Sequence, residues 1–176
     1  MEVSTINYFL ALGTLAMQMA AAALLVLLFL RKHEGFSEHA ALVGRWGLWA
    51  AFLLSSTGMV MAVYYSDILG VEPCSLCWWQ RIFQFPLVVL FGMALYKREM
   101  SRFVIDYSIV MSVIGGAFAL YHHALQMFPN SLPCPSTGVS CAQRTIFEFG
   151  YITFPLMAFS LFAILIVLML FVRKSR

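Results

Sequence analysis

Five long apolar stretches constrain the fold of this chain more than any other feature of its sequence. A membrane-spanning helix needs about 20 mainly apolar residues, and five stretches reach that length: 6–30, 46–66, 76–96, 103–127 and 150–172. Of the 176 residues, 62% are hydrophobic and 11% are charged, whereas soluble domains carry about 25% charged residues. The sequence therefore predicts an all-α integral membrane protein, and it argues against a soluble enzyme, a disordered chain or a nucleic-acid binder.

The connections between these stretches are short, so residues 1–176 are expected to form a single membrane domain. The first stretch follows five residues without Lys or Arg. It is also too long for the core of a typical signal peptide. We therefore expect it to be a retained transmembrane helix.

The positive charges predict the orientation. Nine of the eleven Lys and Arg residues lie in the connections 31–45, 97–102 and 173–176. Cytoplasmic connections carry such an excess, so we expect the N-terminus and the loops 67–75 and 128–149 to lie outside and the C-terminus to be cytoplasmic. Near the cytoplasmic rim, Arg102 and Asp106 are four residues apart and are expected to form a local ion pair.

All four cysteines fall on the predicted exterior side: Cys74, Cys77, Cys134 and Cys141. Exterior compartments permit disulfides, so this placement indicates redox or disulfide chemistry.

Cys74 and Cys77 open the third helix, where unsatisfied backbone N–H groups and the helix dipole favour a thiolate. A structural staple is the alternative, although closing so small a ring stabilises a fold by only about 2 kcal/mol. A zinc site with four cysteines is disfavoured by the spacing of the second pair, and we predict no metal.

The second pair lies in a loop. Pro133 and Pro135 flank Cys134 and hold the backbone extended, which presents the sulfur to a partner protein. Gly138 gives the chain the freedom to bring Cys141 back to Cys134. An isolated loop disulfide is the alternative.

Two further polar residues are candidates for the site. Arg81 follows Cys77 by four residues and therefore projects from the same helix face. It either extends to the membrane surface or donates hydrogen bonds to a carbonyl-bearing electron acceptor. His122 and His123 close the fourth helix, and ordinary interfacial histidines are an equally good interpretation there.

Cys74-x-x-Cys77-x-x-x-Arg81, followed by His122-x-x-x-Gln126-x-x-Pro129 and a second outer cysteine pair, resembles the DsbB/BdbC family of bacterial thiol oxidases over about residues 46–172. The resemblance implies a four-helix transmembrane bundle in the bacterial cytoplasmic (inner) membrane. The stretch 6–30 would be an extra N-terminal helix, which we expect to add a packing or assembly surface.

The resemblance also implies the roles of the site residues. Cys134 and Cys141 would be the pair that reoxidises a soluble thioredoxin-fold thiol oxidase on the exterior side. Electrons would then pass to Cys74 and Cys77 and on to a membrane quinone, either ubiquinone or menaquinone. Arg81 and His122 would lie near the quinone. The spacing of the second pair is shorter than in many members and is closer to the BdbC-like group.

Two alternatives remain open at this point. A vitamin K epoxide reductase-like protein would use quinone-linked thiols in the opposite direction. A non-enzymatic tetraspan scaffold would hold structural disulfides in its exterior loops. A metal carrier is a weaker third possibility.

Overall fold

The computed structural model describes residues 3–32, 34–97, 102–129, 133–134 and 139–174. Five helices in this part of the chain are long and apolar enough to cross a membrane, and no strand is present among the described residues. The helices are α1 (Val3–Leu30), α2 (Ser37–Val63), α3 (Ser75–Lys97), α4 (Arg102–Met127) and α5 (Phe154–Lys174). A 3₁₀ turn (Glu34–Phe36) precedes α2, and a π-helical turn (Tyr64–Ile68) extends it. The predicted all-α membrane fold is confirmed.

Helix α5 is the centre of the bundle and packs against α1, α2 and α4, while α3 packs against α2 and α4. Its side chains Phe162, Leu165 and Met169 are fully or almost fully buried. Transmembrane helices associate through close packing of small residues, because lipid is as apolar as the helix surfaces. Gly115 of α4 shows this directly, since a Cβ atom there would overlap the ring of Phe162.

The helix ends differ from the predicted stretches in two places. α2 begins at Ser37 rather than near residue 46, because hydropathy marks only the part of a helix that suits lipid. α5 begins at Phe154 rather than at residue 150. Residues before it form a turn in which Phe149 and Gly150 have positive φ angles of 52° and 78°.

The predicted partner of Asp106 was wrong. Its carboxylate pairs with the guanidinium of Arg173 at 3.4 Å. α4 and α5 are neighbouring helices, and the start of α4 near Asp106 lies beside the last turn of α5. A residue in another helix therefore supplies the charge that sequence spacing assigned to Arg102.

The cysteines all lie at the end of the bundle opposite this ion pair, as expected. Within the second cysteine loop, residues 130–132 and 135–138 lie outside the described residues. The expectations that concern Pro135 and Gly138 therefore fall outside them as well. Pro133, Cys134 and the chain from residue 139 onward are described.

Candidate functional site

The first cysteine pair is built by the start of α3. Cys74 directly precedes this helix, and its carbonyl accepts a hydrogen bond from the Trp78 N–H at 3.2 Å. Cys77 lies in the first turn. The two sulfurs are unbridged and 3.3 Å apart. The start of the helix therefore holds the two sulfurs close enough to form a disulfide with each other.

The environment of Cys74 favours its thiolate. The hydrogen bond from the Cys77 thiol contributes most and a hydrogen bond from His122 adds to it, while burial opposes both; the pKa of the Cys74 thiol is lowered to about 4. Cys74 is only 6% exposed. The site therefore holds a stabilised but shielded thiolate at neutral pH.

His122 connects the two cysteine pairs. The side-chain amide N–H of Gln80 donates to His122 Nδ1 at 3.0 Å and also to the Leu76 carbonyl at 3.2 Å. His122 Nδ1 is then an acceptor, so the ring proton is on Nε2. His122 Nε2 lies 3.0 Å from the Cys141 carbonyl oxygen and 3.6 Å from Cys74 Sγ. One imidazole N–H thus faces both the helix pair and the loop pair.

The second pair is a disulfide between Cys134 and Cys141, with Cα atoms 5.8 Å apart. Cys141 is fully buried, whereas Cys134 is partly exposed. Cys134 and Cys141 belong to the same apolar cluster as Cys74 and Cys77, together with Leu76 and Leu125. The structure therefore brings all four predicted cysteines together.

Polar anchors hold the loop pair on the end of α4. The Tyr121 hydroxyl donates to the Pro133 carbonyl at 2.7 Å. The Gln126 amide donates to the Gln143 carbonyl at 2.8 Å, and Arg144 Nε donates to the Gln126 carbonyl at 2.7 Å. These bonds tie both sides of the disulfide to one helix.

Arg81 is held inside the bundle. Its Nη2 donates to the Ala62 carbonyl at 2.8 Å, and its guanidinium lies over the Trp78 ring at 5.3 Å. Ala62 also accepts a hydrogen bond from the Ser66 hydroxyl at 3.1 Å. A partly buried arginine in a membrane helix needs such partners to offset its desolvation. The hydrogen bond to the backbone near the end of α2 fixes the position of its guanidinium.

A cavity of about 710 Å³ adjoins these residues. Its lining includes Cys74, Cys77, Arg81 and His122, with apolar walls such as Leu54 and Leu161. Pockets for small organic ligands have volumes of about 300–1,000 Å³ and combine mainly apolar walls with a few polar groups. Four of the six predicted site residues line this cavity, while Cys134 and Cys141 lie outside its lining.

In the part of the chain that the structure describes, one group of side chains has the donor atoms for a metal ion, and the sequence did not reveal it. The ligand atoms of Cys74, Cys77 and His122 lie within 4.8 Å of one another. A site with four cysteines, by contrast, is not formed, because Cys134 and Cys141 are bonded to each other.

Gln80 was also missed. It is 7% exposed and orients His122 from a different helix. A buried glutamine in an apolar stretch is costly unless it is hydrogen-bonded, and that was the available signal. Its partner, 42 residues away, could not be inferred from spacing.

The fold and the site define a multi-pass membrane protein with two adjacent cysteine couples. Residues 44–172 match the family profile described as "Disulfide bond formation protein DsbB". The chain is 38% identical over 129 residues to the "Probable disulfide formation protein" of Chlamydia trachomatis, covering 73% of this chain and 93% of the relative.

The chain is also similar to disulfide formation proteins from other bacteria. The "Probable disulfide formation protein C" of Halalkalibacterium halodurans is 35% identical, with coverage of 72% and 92%. The "Disulfide bond formation protein C" of Bacillus subtilis is 33% identical, with coverage of 73% and 94%. No solved structure matches the chain. The chain belongs to the DsbB family of disulfide bond formation proteins, and this membership supports a thiol oxidase role.

Proposed function

We propose that this protein is a membrane thiol oxidase that reoxidises a soluble thioredoxin-fold partner and delivers the electrons to a membrane quinone. The observation that carries the proposal is the single cluster that holds both cysteine couples, one on a loop and one on a ligand-sized cavity. Exchange between two couples requires contact between their sulfurs, and the shared cluster supports it by placing the two couples close to each other.

The partner reacts at Cys134. A partner thiolate attacks Cys134 Sγ, the Cys134–Cys141 bond breaks, and Cys141 leaves as a thiolate. The second partner thiol, once deprotonated, attacks the mixed disulfide; the partner leaves oxidised and Cys134 is released as a thiolate. Attack at Cys134 follows from exposure, because Cys141 is fully buried.

The relay passes the two electrons inward. The two thiolates of the loop couple re-form their disulfide while an oxidised Cys74–Cys77 bond is reduced to two thiolates, of which Cys77 then takes up a proton. Cys74 is the better leaving group, because its pKa is lowered to about 4 and a low-pKa thiolate leaves faster. His122 Nε2–H donates toward Cys74 Sγ as that charge develops.

The cavity fits a quinone headgroup in size, in its apolar walls and in its polar groups. A bound quinone would accept the two electrons that Cys74 and Cys77 release when they form their disulfide. It would take one proton from the Cys77 thiol and a second from solvent, because Cys74 is already a thiolate. Arg81 supplies a positive charge to a carbonyl oxygen of the ligand, and His122 lies on the same lining. Ubiquinone and menaquinone share this headgroup chemistry.

The test is quinone-dependent oxidation of a dithiol thioredoxin-fold protein by the purified protein, followed by quinone absorbance. Cys77→Ser should lower steady-state turnover by at least about 1,000-fold. Val89→Ala, which changes an exposed residue on the same helix, is the matched control. Full activity of Cys77→Ser would remove the assigned role of the helix couple.

The direction of electron flow separates this proposal from a vitamin K epoxide reductase-like activity. With the quinone pool blocked in its reduced state, an oxidase accumulates reduced cysteines, whereas an enzyme working in reverse reduces its partner. A scaffold would keep both couples inert to mild thiol reagents.

A metal carrier is the second candidate, because Cys74, Cys77 and His122 form a compact set of ligands. Metal analysis of the reduced, purified protein decides it. If the protein binds stoichiometric zinc and still reduces quinone, the metal has no part in the oxidase cycle. If zinc must be removed before the protein reduces quinone, the result favours a metal carrier.

We further propose that both cysteine loops face the exterior of the bacterial cytoplasmic membrane. In a cysteine-free background, a membrane-impermeant thiol reagent should label Asp67→Cys and Ser140→Cys in intact cells. Arg102→Cys should require permeabilised cells. Labelling of the two loops from opposite sides would end the relay proposal, because the couples could not meet.

A further inference from the structure

Helix α1 lies outside the part of the chain that matches the family profile, which begins at residue 44. Its residues nevertheless line the cavity beside the helix couple: Phe9, Leu10, Gly13, Thr14 and Met17. Sequence reasoning assigned this helix only a packing or assembly surface. Its position beside the cavity indicates a role in forming that cavity.

The position of α1 is fixed by specific contacts. Ala11 is fully buried and packs with Leu156 of α5. The Gln18 amide donates to the Ser160 hydroxyl at 3.0 Å. Polar side chains inside an apolar helix hold it in one register, because each needs its partner in lipid.

A second contact joins α1 to the opposite wall of the cavity. The Tyr65 hydroxyl, at the outer end of α2, donates to Asn7 Oδ1 at 2.5 Å. Tyr65 is 3% exposed and also packs edge-on against Phe154. α1 therefore packs against α5 and is also bonded to the π-helical turn that extends α2, at a residue that lines the cavity.

We propose that α1 is a wall of the quinone-binding cavity and sets which headgroups fit beside Arg81. This inference rests on the proposed function. Gly13 is a position of this wall with open space around it, since a Cβ atom there would meet nothing within 4 Å. Thr14 is 2% exposed on the same wall, and its hydroxyl donates to the Leu10 carbonyl at 2.8 Å.

The experiment fills the cavity from α1. In the full-length protein, Gly13→Ala, Gly13→Leu and Gly13→Phe should raise the KM for a short-tailed ubiquinone analogue in order of side-chain volume, by about tenfold for Phe. Quenching of tryptophan fluorescence by the same analogue should show an equal loss of affinity. Ala22→Phe is the control, because Ala22 is exposed on the opposite face of α1.

Single-turnover oxidation of the dithiol partner without added quinone should be unchanged in all these variants. This reaction uses only the cysteine couples. A Gly13→Phe protein that binds and reduces the analogue as Ala22→Phe does would overturn the role of α1, while the proposed function would stand. A wild-type protein that fails to reduce the analogue would instead overturn the proposed function.

A second measurement needs no substitution. A ubiquinone analogue with a photoreactive group on its ring, added to the wild-type protein and irradiated, should label peptides from both α1 and α3. Label on α3 with none on α1 would contradict the proposal directly.

Discussion

The helix couple and the loop couple are built in opposite ways. Cys74 and Cys77 are placed by the first turn of α3 and by a hydrogen-bonded histidine. Cys134 and Cys141 lie in a loop that is held by hydrogen bonds at Pro133, Cys141 and Arg144. A fixed couple suits a small ligand in a preformed cavity, whereas a partly exposed loop sulfur suits the active-site groove of another protein. The difference teaches that the proposed relay would combine a rigid couple at one end with an accessible couple at the other.

The largest effect should come from removing one couple at a time. Cys77→Ser should still oxidise about one equivalent of dithiol partner and then stop. Cys141→Ser should oxidise none and should trap the partner on Cys134 when the partner is added as its disulfide. Mass spectrometry of non-reduced peptides measures both outcomes. If both variants oxidised the same number of equivalents of dithiol partner, the two couples would not have the different roles assigned to them.

The second prediction concerns pH. The folded pKa of Cys74 is lowered to about 4, so its thiolate persists above that value and is lost only as the pH falls through it. Alkylation of Cys74 in the protein with its loop disulfide intact should change little between pH 8 and pH 5. An ordinary thiol, with a pKa of about 8.5, slows about tenfold per unit in that range. Peptide mass spectrometry measures the rate of alkylation. A tenfold decline in that rate at Cys74 per pH unit would contradict the assigned thiolate.

The third prediction concerns the support of His122. Gln80→Leu removes the donor to Nδ1, frees the ring to change tautomer and should slow transfer between the couples by about tenfold. Gln84→Leu is the matched control, because Gln84 is equally buried one turn further along α3 and bonds the Ser55 carbonyl. The pH profile of Cys74 alkylation should shift upward in Gln80→Leu alone. Identical profiles in both variants would assign Gln80 a packing role only.

The smallest effect should arise at the loop anchor. Arg144→Gln removes the hydrogen bond to the Gln126 carbonyl and the contact with the Phe147 ring. We expect a rise of about threefold in the KM for the dithiol partner, with the KM for quinone unchanged. Steady-state kinetics with each substrate varied in turn measures this. A change in the quinone KM instead would show that the anchor serves the helix couple.

Much of the fold was readable from the sequence because the bilayer imposes simple rules. Runs of about 20 apolar residues predict spans, and clustered Lys and Arg predict their ends. The C-x-x-C at the start of α3 and its arginine were identified in the same way. These signals are local, so one sequence suffices to see them.

Contacts between distant helices could not be read in this way. Asp106 pairs with Arg173 and not with its neighbour along the helix, and Gln80 meets His122 across 42 residues. The role of α1 was hidden for another reason. Its surface is apolar almost all round, so no face of the sequence marks the side that borders the cavity.

The complete burial of Cys141 has a consequence for how the protein avoids wasteful side reactions. If the proposed cycle operates, small thiols are expected to attack the partly exposed Cys134, so that Cys141 leaves as a thiolate in the interior. Each opening of the disulfide would then begin at the same sulfur and release the other on the side of His122. Burial of one cysteine would in this way limit the loss of oxidising equivalents to reductants other than the partner.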